Sequence, residues 1–525
     1  MHRRRFLATG TSLVAAGLSP ARAQQADPRV LRFVPQANLT ALDPVWTTAA
    51  VSTTHGYTMF DTLYGSDEAG RPQPQMAEGH TVSDDGRTWT IRLRDGLKWH
   101  DGTPVLARDC SASLQRWSRR DTFGQSLAQL VDDWGQTDDR TLLIKLKSPF
   151  PLLLTAIGKT SSAAAFMMPE RLARTDPFQQ VTEMTGSGPF RFLANEYISG
   201  SRVAYARFDG YVPRQEAPSG TAGGKVAHFA RVEWQIIPDV ATASAALNRG
   251  EVDWWDQVAP DLTPLLRRNK DVAVGVNDPG GYIGTLRFNT LNPPFDNPAI
   301  RRAVLYAANQ DDYLRAITGN DPEIFRECHS MWPCGTPYGM ETGAKGPPDL
   351  SHAKAMLEAS GYNGEKVVIL NPSDLPSIGP FGYVTADLLK KLEMNVELVD
   401  TDWGTVVQRR ASREPIDKGG WSIFHTWWPS ATIATPATNP TLRGQGLQGW
   451  FGWYKNDRVE QLAADWLLAP MDAEQKRLAE AIQDESMQQA PIVPLGRYFI
   501  RTAYRANLTG FVRSSINLPW GVRRV

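Results

Sequence analysis

Between residues 232 and 255 the chain reads as strand, helix and strand in immediate succession, and no other stretch constrains its fold as strongly. Residues 232–237 are a strand, and Pro238-Asp239 opens a helix with the apolar stripe Val240, Ala243, Leu247. Gly250 stops that helix and residues 252–255 form the next strand. Such a unit buries its apolar surface only as part of a sheet with helices packed on it, so the fold class is α/β. A second region of this kind begins near Gly284. Strand 286–289 leads to Asn297-Pro298, which starts a helix with Ile300, Ala303, Val304 and Ala307 on one face. Helices at 351–361, 384–392 and most of 461–488 alternate with strands 366–370 and 396–399. Earlier, residues 63–99 read as a β-meander, punctuated by Asp85-Gly86 and Asp95-Gly96 with alternation at Trp89, Ile91 and Leu93. Asp101-Gly102 then leads into Thr103-Pro104, which predicts a helix start there, with Leu106, Cys110, Leu114 and Trp117 along one face. At 525 residues the chain exceeds a single core. It has no internal repeat and no long linker, which makes the regions lobes of one body.

The N-terminus has the layout of a secretory signal. Arg3-Arg4-Arg5 precede Phe6-Leu7, a mild apolar run over residues 8–18, and Ala21-Arg22-Ala23. The arginine pair and the diluted apolar run fit the twin-arginine type, with cleavage after Ala23. Four of the 56 basic residues fall in residues 1–23, leaving 52 against 56 acidic ones, so nucleic-acid binding and polybasic membrane attachment have no electrostatic footprint. No apolar run approaches the roughly 18–20 residues of a membrane span. The first cysteine, Cys110, lies far from the cleavage site and offers no lipid acceptor. A freely diffusing, monomeric periplasmic protein is expected.

Cys328 and Cys334 are close enough in sequence for a disulfide in an oxidising compartment, while His329 between them leaves a metal-site reading open. Cys110 belongs to a buried helical stripe. Metalloprotease, nucleophile-elbow and phosphate-loop motifs are all lacking, so no catalytic residue, cofactor or metal is expected. Gly444-Gln445-Gly446-Leu447-Gln448-Gly449 has the spacing of a dinucleotide turn, but neither a strand precedes it nor a helix follows it, and it reads as a loop. The 17 tryptophans include the pairs Trp254-Trp255 and Trp427-Trp428, side chains suited to ligand clefts as well as cores. Neighbours on a strand face opposite sides, so one of Trp427 and Trp428 is directed to a cavity or to solvent.

Several motifs, taken in order, resemble the peptide and nickel class (family 5) of periplasmic solute-binding proteins of ABC importers. The most specific is Pro74-Gln75-Met76-Ala77-Glu78 through Thr103-Pro104-Val105. Others are Gly186-Ser187-Gly188-Pro189-Phe190, Arg249-Gly250-Glu251-Val252-Asp253, Phe288-Asn289-Thr290 and Ala490-Pro491-Ile492-Val493-Pro494. The resemblance implies a type II, hinge-bending fold of two α/β lobes with an extra β-rich subdomain. Mapped here, the signal is 1–23, lobe I is 27–64, 183–283 and 496–525, the extra subdomain is 65–182, and lobe II is 284–495. It further implies a small-molecule ligand trapped between the lobes and delivered to the permease subunits in the inner membrane. The segments that the family places at the cleft supply Trp46, Tyr282, Trp403, Arg409, His425, Thr426, Trp427 and Trp428 as ligand-binding candidates.

Peptide-binding members carry an aspartate three positions after a Trp of the crossover segment, paired with the ligand's α-amine. Counting from Trp427 puts Ser430 there and counting from Trp428 puts Ala431 there, and no Asp or Glu occurs from Trp421 to Leu442. A buried ammonium without a counter-charge costs several kcal/mol. The expected ligand is therefore neutral, acylated, sugar-like or anionic, packed on Trp427 or Trp428 and held by Arg409. Two rival readings stay open: a metal-chelate or haem binder using His425, and a secreted hydrolase using Asp400 and Asp402.

Overall fold

The computed structural model describes residues 27–160, 163–276, 278–319, 321–340, 348–469 and 472–525. The expected signal and its cleavage point lie outside the described residues. Two mixed sheets face each other across a cleft. The first has seven strands, in the order Val272–Val276, Arg501–Arg505, Trp254–Trp255, Val30–Val34, Arg231–Gln235, Arg202–Arg207 and Phe190–Phe192. The unit that begins at Arg231 is built as its sequence dictates. Helix Val240–Arg249 is capped by Asp239, whose carboxylate accepts from the Thr242 N–H, and ends at Gly250 with φ 74°. The two strands it connects do not pair directly, because Val30–Val34 lies between them, parallel to both.

The second sheet has six strands, in the order Phe325–Arg326, Ile492–Tyr498, Tyr282–Phe288, Ile423–Pro429, Lys366–Pro372 and Asn395–Thr401. The last three are mutually parallel neighbours. The chain passes between the sheets twice, from Val272–Val276 to Tyr282–Phe288 and from Ile492–Tyr498 to Arg501–Arg505. Tyr282 and Tyr498 are register partners where the crossings run side by side.

A four-stranded antiparallel sheet, Ala77–Val82, Thr88–Leu93, Thr141–Leu146 and Val131–Asp138, belongs to the inserted segment. Trp89, Ile91 and Leu93 are buried in one apolar cluster with Cys110, Leu114 and Trp117 of helix Ala107–Trp117. Burying each such side chain contributes roughly 1.5–3 kcal/mol. That helix starts at Ala107, not just after Thr103. Pro104 pairs with Lys98 in an isolated bridge, Thr103 donates its hydroxyl to Asp101, and Asp109 accepts from the Leu106 N–H. The cap is thus supplied from inside the helix. Cys328 and Cys334 are disulfide-bonded, with Cα atoms 5.8 Å apart, and His329 turns instead to Glu327 at 3.3 Å. No helix among the described residues is long and apolar enough to cross a membrane.

Candidate functional site

The carboxyl ends of the parallel strands in both sheets point into the cleft, and the side chains that follow them form its walls. On the first lobe, Gln36 follows Val30–Val34, and Asp256 and Gln257 follow Trp254–Trp255. On the second, Leu375 follows Lys366–Pro372 and Trp403 follows Asn395–Thr401. These side chains, with Tyr282, Thr426, Trp427, Trp428 and Asn517, line an inner cavity. Its aromatic wall is tightly packed: Tyr282 meets Trp427 edge-on at 4.7 Å, and Trp428 meets Trp450 at 5.2 Å. Both adjacent tryptophans reach this cavity. They point to opposite faces of their strand, but the cavity wraps around the strand's end at Pro429.

The inner cavity continues into an outer one of about 220 Å³, with which it shares Thr48, Trp428 and Thr432. Arg119, Arg120, Lys159 and Arg413 line the outer cavity against a single carboxylate, Asp121, which Lys159 meets at 2.8 Å. Burial and the nearby Arg116 lower the pKa of Arg120, so an anion beside its guanidinium would be stabilising. Arg120 donates to the Trp46 carbonyl at 2.6 Å, and its buried Nε has no hydrogen-bond partner among the described residues.

Asp256 is half-buried at the wall of the inner cavity. It accepts from the Gln36 N–H at 3.1 Å and from the Asn517 amide. Burial pushes its carboxyl up to about 7 against those two donors. A chain of side-chain hydrogen bonds runs across the cleft from Gln36, whose backbone N–H holds Asp256. Gln257 donates to the Gln36 side chain at 2.6 Å, Ser377 donates to Gln257 at 2.6 Å, and the Trp427 indole donates to Ser377 at 3.1 Å. The lobes also meet at Thr48, whose hydroxyl accepts from Trp450 at 3.2 Å and Arg410 at 3.4 Å. Gln125 of the insert pairs with Gln445 and with the Gln448 carbonyl. The arrangement is closed.

Of the candidates read from the sequence, Tyr282, Trp403, Thr426, Trp427 and Trp428 come together at the inner cavity, and Trp46 lines the outer one with its indole donating to the Phe178 carbonyl. Three do not. Arg409 lines neither cavity: helix Trp403–Arg409 buries positions 403, 406 and 407, and the same face continues to Arg410. Arg410 is the arginine packed at the interface, its guanidinium 5.4 Å from Trp403 and 4.8 Å from Phe451, and burial lowers its pKa to about 9. His425 faces the interior of the second lobe, where its Nε2 meets the Thr385 hydroxyl at 2.7 Å, and burial lowers it to about 3. Ser430 spends its hydroxyl on the Gly281 carbonyl at 3.0 Å and lines neither cavity. The two acids of the hydrolase reading are also engaged structurally. Asp400 accepts from Asn371 at 2.7 Å and Asp402 caps helix Trp403–Arg409.

Sequence reasoning passed over Gln36, Asp256, Gln257, Asn517 and the cationic group Arg120, Lys159 and Arg413. For Gln36 and Asp256 a signal existed, since each stands just beyond a strand of the opening α/β pattern.

Two facing sheets, two crossings and a cleft at the strands' carboxyl ends define a periplasmic binding protein of the two-lobed type. The chain belongs to the bacterial extracellular solute-binding proteins, family 5, whose middle-region model matches residues 71–448. It is 38% identical over 523 residues, 99% of this chain and 98% of the relative, to a probable peptide ABC transporter periplasmic-binding protein, y4tO, of Sinorhizobium fredii (strain NBRC 101917 / NGR234). It is 26% identical over 505 residues, 90% of each chain, to the glutathione-binding protein GsiB of Escherichia coli (strain K12). Two solved structures share the fold. The periplasmic binding protein AgaA of A. tumefaciens R10, in complex with agropinic acid, superposes with a TM-score of 0.78 at 19% identity, covering 94% of this chain and 99% of the other. DppA of Helicobacter pylori, in complex with the peptide STSA, gives 0.77 at 21%, covering 94% and 98%.

Proposed function

We propose that this protein is the exported, periplasmic solute receptor of an ABC importer, and that its ligand is a small anionic molecule rather than a free-amine peptide. The observation that carries the reading is the polarity of the inter-lobe cleft, four cations against one carboxylate at the outer end and a tryptophan wall at the inner end. Ligand enters an open form, the lobes close over it about the two crossings, and the permease subunits read the closed shape. The ligand must bind the closed form better for this cycle to run, and the contacts of Thr48 and Gln257 that join the lobes are available only there. No chemical step is required. Relatives and neighbours named for peptides, glutathione and agropinic acid support a small organic solute.

Free-amine peptides are disfavoured on chemical grounds. Strand Ile423–Pro429 and the turn that follows it carry no acid, and each oxygen of Asp256 already accepts a hydrogen bond from the protein. Calorimetry on the purified mature protein tests the reading. Sugar acids, N-acetyl amino acids and short dicarboxylates are compared with dipeptides, in the parent protein and in Arg120→Ala and Arg413→Ala. Anions should bind and lose about tenfold in each variant, the effect of one charge-assisted hydrogen bond. Micromolar dipeptide binding that vanishes on N-acetylation would overturn it.

A further inference from the structure

The outer cavity differs from the inner one in size and in the surface it offers. A cavity of roughly 150 Å³ takes a benzene ring. The outer cavity, at about 220 Å³, therefore has room for one ring with a carboxylate attached, whereas the inner one, at about 60 Å³, has room for no ring. Six aromatic side chains line it, Trp46 and Phe178 from the first lobe and its insert, and Trp428, Trp450, Phe451 and Trp453 from the second lobe. Trp46 and Phe451 are half-buried and Phe178 is 43% exposed, so the rings on both sides keep accessible surface. The Trp46 indole N–H is committed to the Phe178 carbonyl at 3.1 Å, which leaves that ring its faces and no free donor. Leu447, 50% exposed, lines the cavity from the second lobe. Exposed apolar side chains on both sides of a cleft mark a surface that a ligand covers.

Positive charge sits directly beside these rings. Lys159 is taken by Asp121, which leaves the arginines of the cavity, with Arg119 and Arg413 exposed and Arg120 half-buried. Arg120 lies over the Phe178 ring at 4.9 Å and Arg413 over Trp453 at 5.5 Å. Contact with a ring face holds a guanidinium in place without using its N–H groups, and each of the two donates to one carbonyl, that of Trp46 or of Leu447. From this geometry, and resting on the anion reading above, we infer that the ligand is an aromatic carboxylate, its ring held between the aromatic walls of the two lobes and its carboxylate beside Arg413 and Arg120. A flat ring stacks on such walls face to face or edge to face, a gain that a saturated chain of the same size lacks. Because the walls belong to different lobes, the ring meets both only when the lobes close, and this supplies the better affinity for the closed form that the transport cycle requires.

Titration calorimetry with four probes tests this: phenylacetate; cyclohexylacetate, of similar size with a saturated ring; phenethyl alcohol, which has the ring without the charge; and the dipeptide Ala-Ala. Cyclohexylacetate is the more apolar acid, so burial alone would favour it. Phenylacetate should nevertheless bind about tenfold more tightly, as stacking on two walls requires. Trp46→Leu and Phe178→Leu, which keep an apolar side chain but remove the ring, should each narrow that preference about threefold, the share of one aromatic pair. Arg413→Ala should weaken both acids about tenfold and keep their ratio. Should a variant fail to fold, the ratio of the two acids in the parent protein still decides. Cyclohexylacetate binding as tightly as phenylacetate, with both weakened by Arg413→Ala, would overturn the aromatic assignment and leave the anion reading intact. Phenethyl alcohol binding as tightly as phenylacetate would overturn the anion reading and this inference with it, and so would tighter binding of Ala-Ala. No binding of any probe at millimolar concentration would overturn the inference, and the sugar acids and dicarboxylates would then decide the anion reading alone.

Discussion

Buried cations are held in two ways, by a carboxylate or by a cradle of backbone carbonyls, and the second kind is found in the second lobe. In the first lobe and its insert each buried cation has a carboxylate: Arg116 with Asp43 at 2.7 Å, Lys225 with Asp61 at 2.7 Å, and Lys159 with Asp121 at 2.8 Å. In the second lobe Arg443 keeps a carboxylate, Glu460 at 2.6 Å, but Arg287 and Arg301 are solvated by backbone. Arg287 donates to the carbonyls of Phe451, Thr441 and Pro491, and Arg301 to those of Phe295, Asp296, Gln489 and Ala490. Burial accordingly lowers Arg287 to about 9 and Arg301 to about 10. Ion pairs tie the insert to its lobe by neutralising charge across long stretches of chain. The guanidinium forks instead gather several irregular loops, spreading one charge over many dipoles. An ion pair fails when either partner goes, whereas a carbonyl cradle loses its contribution bond by bond.

The sharpest way to break this contrast is to remove one acceptor in the first lobe and one donor in the second. Asp43→Asn leaves Arg116 charged and enclosed, with a side chain 2% exposed, and should cost about 3–5 kcal/mol. Arg287→Met leaves uncharged carbonyls that can rearrange or admit water, and should cost about 1–3 kcal/mol. Urea unfolding midpoints read both. Equal losses would mean that the carbonyl cradle is as charge-dependent as the ion pair, and the contrast would collapse.

Acid sharpens the comparison from another side, because the first lobe holds two of the buried neutral histidines and the second lobe one. Burial lowers His55 to about 3, His100 to about 4 and His425 to about 3. Unfolded histidine takes a proton below about 6.5, so the folded state keeps its full stability above that pH and loses it as pH falls toward 4. By pH 5 each histidine should have cost about 2 kcal/mol. Asp256 works in the opposite sense: its folded pKa is raised to about 7, so it regains stability as pH drops and offsets roughly one histidine. Melting curves of the parent and His55→Asn between pH 7 and 5 should differ by about 2 kcal/mol in their acid loss. Parallel curves would show that His55 is not kept neutral by its surroundings.

The elements of this fold were legible because local periodicity decides them: alternation at Trp89, Ile91 and Leu93, and the stripe ending at Gly250 with its left-handed φ. Their pairing was not. Strand Arg501–Arg505 inserts between Val272–Val276 and Trp254–Trp255, partners more than 200 residues away, and nothing near residue 501 encodes that choice. In the site, the phase of helix Trp403–Arg409 would have selected Arg410 over Arg409, since 403, 406, 407 and 410 share a face. Asp256 was missed because only the crossover segment was searched for an acid, while the cleft has two walls. The cationic mouth joins Arg120, Lys159 and Arg413 from distant segments, and only the tertiary structure brings them together.

The smallest effect belongs to the contact that joins the two regions. Gln125, in helix Thr122–Leu130 of the insert, accepts from the Gln445 side chain at 2.6 Å and donates to the Gln448 carbonyl at 3.0 Å. Both partners lie in the glycine-rich loop 444–449 of the second lobe, which the Arg413 guanidinium also tethers through the Leu447 carbonyl at 2.9 Å. Those two bonds exist only when the lobes are together, so they stabilise the closed form relative to the open one and contribute nothing to either lobe's own core. Gln125→Ala should therefore leave the unfolding midpoint unchanged, while shifting the open-to-closed balance by about 1 kcal/mol, roughly fivefold in population. Small-angle scattering of the ligand-free protein would register the shift as a larger radius of gyration. A lowered melting temperature with an unchanged radius would instead assign Gln125 to the stability of the insert, and the loop would cease to be a latch between the lobes.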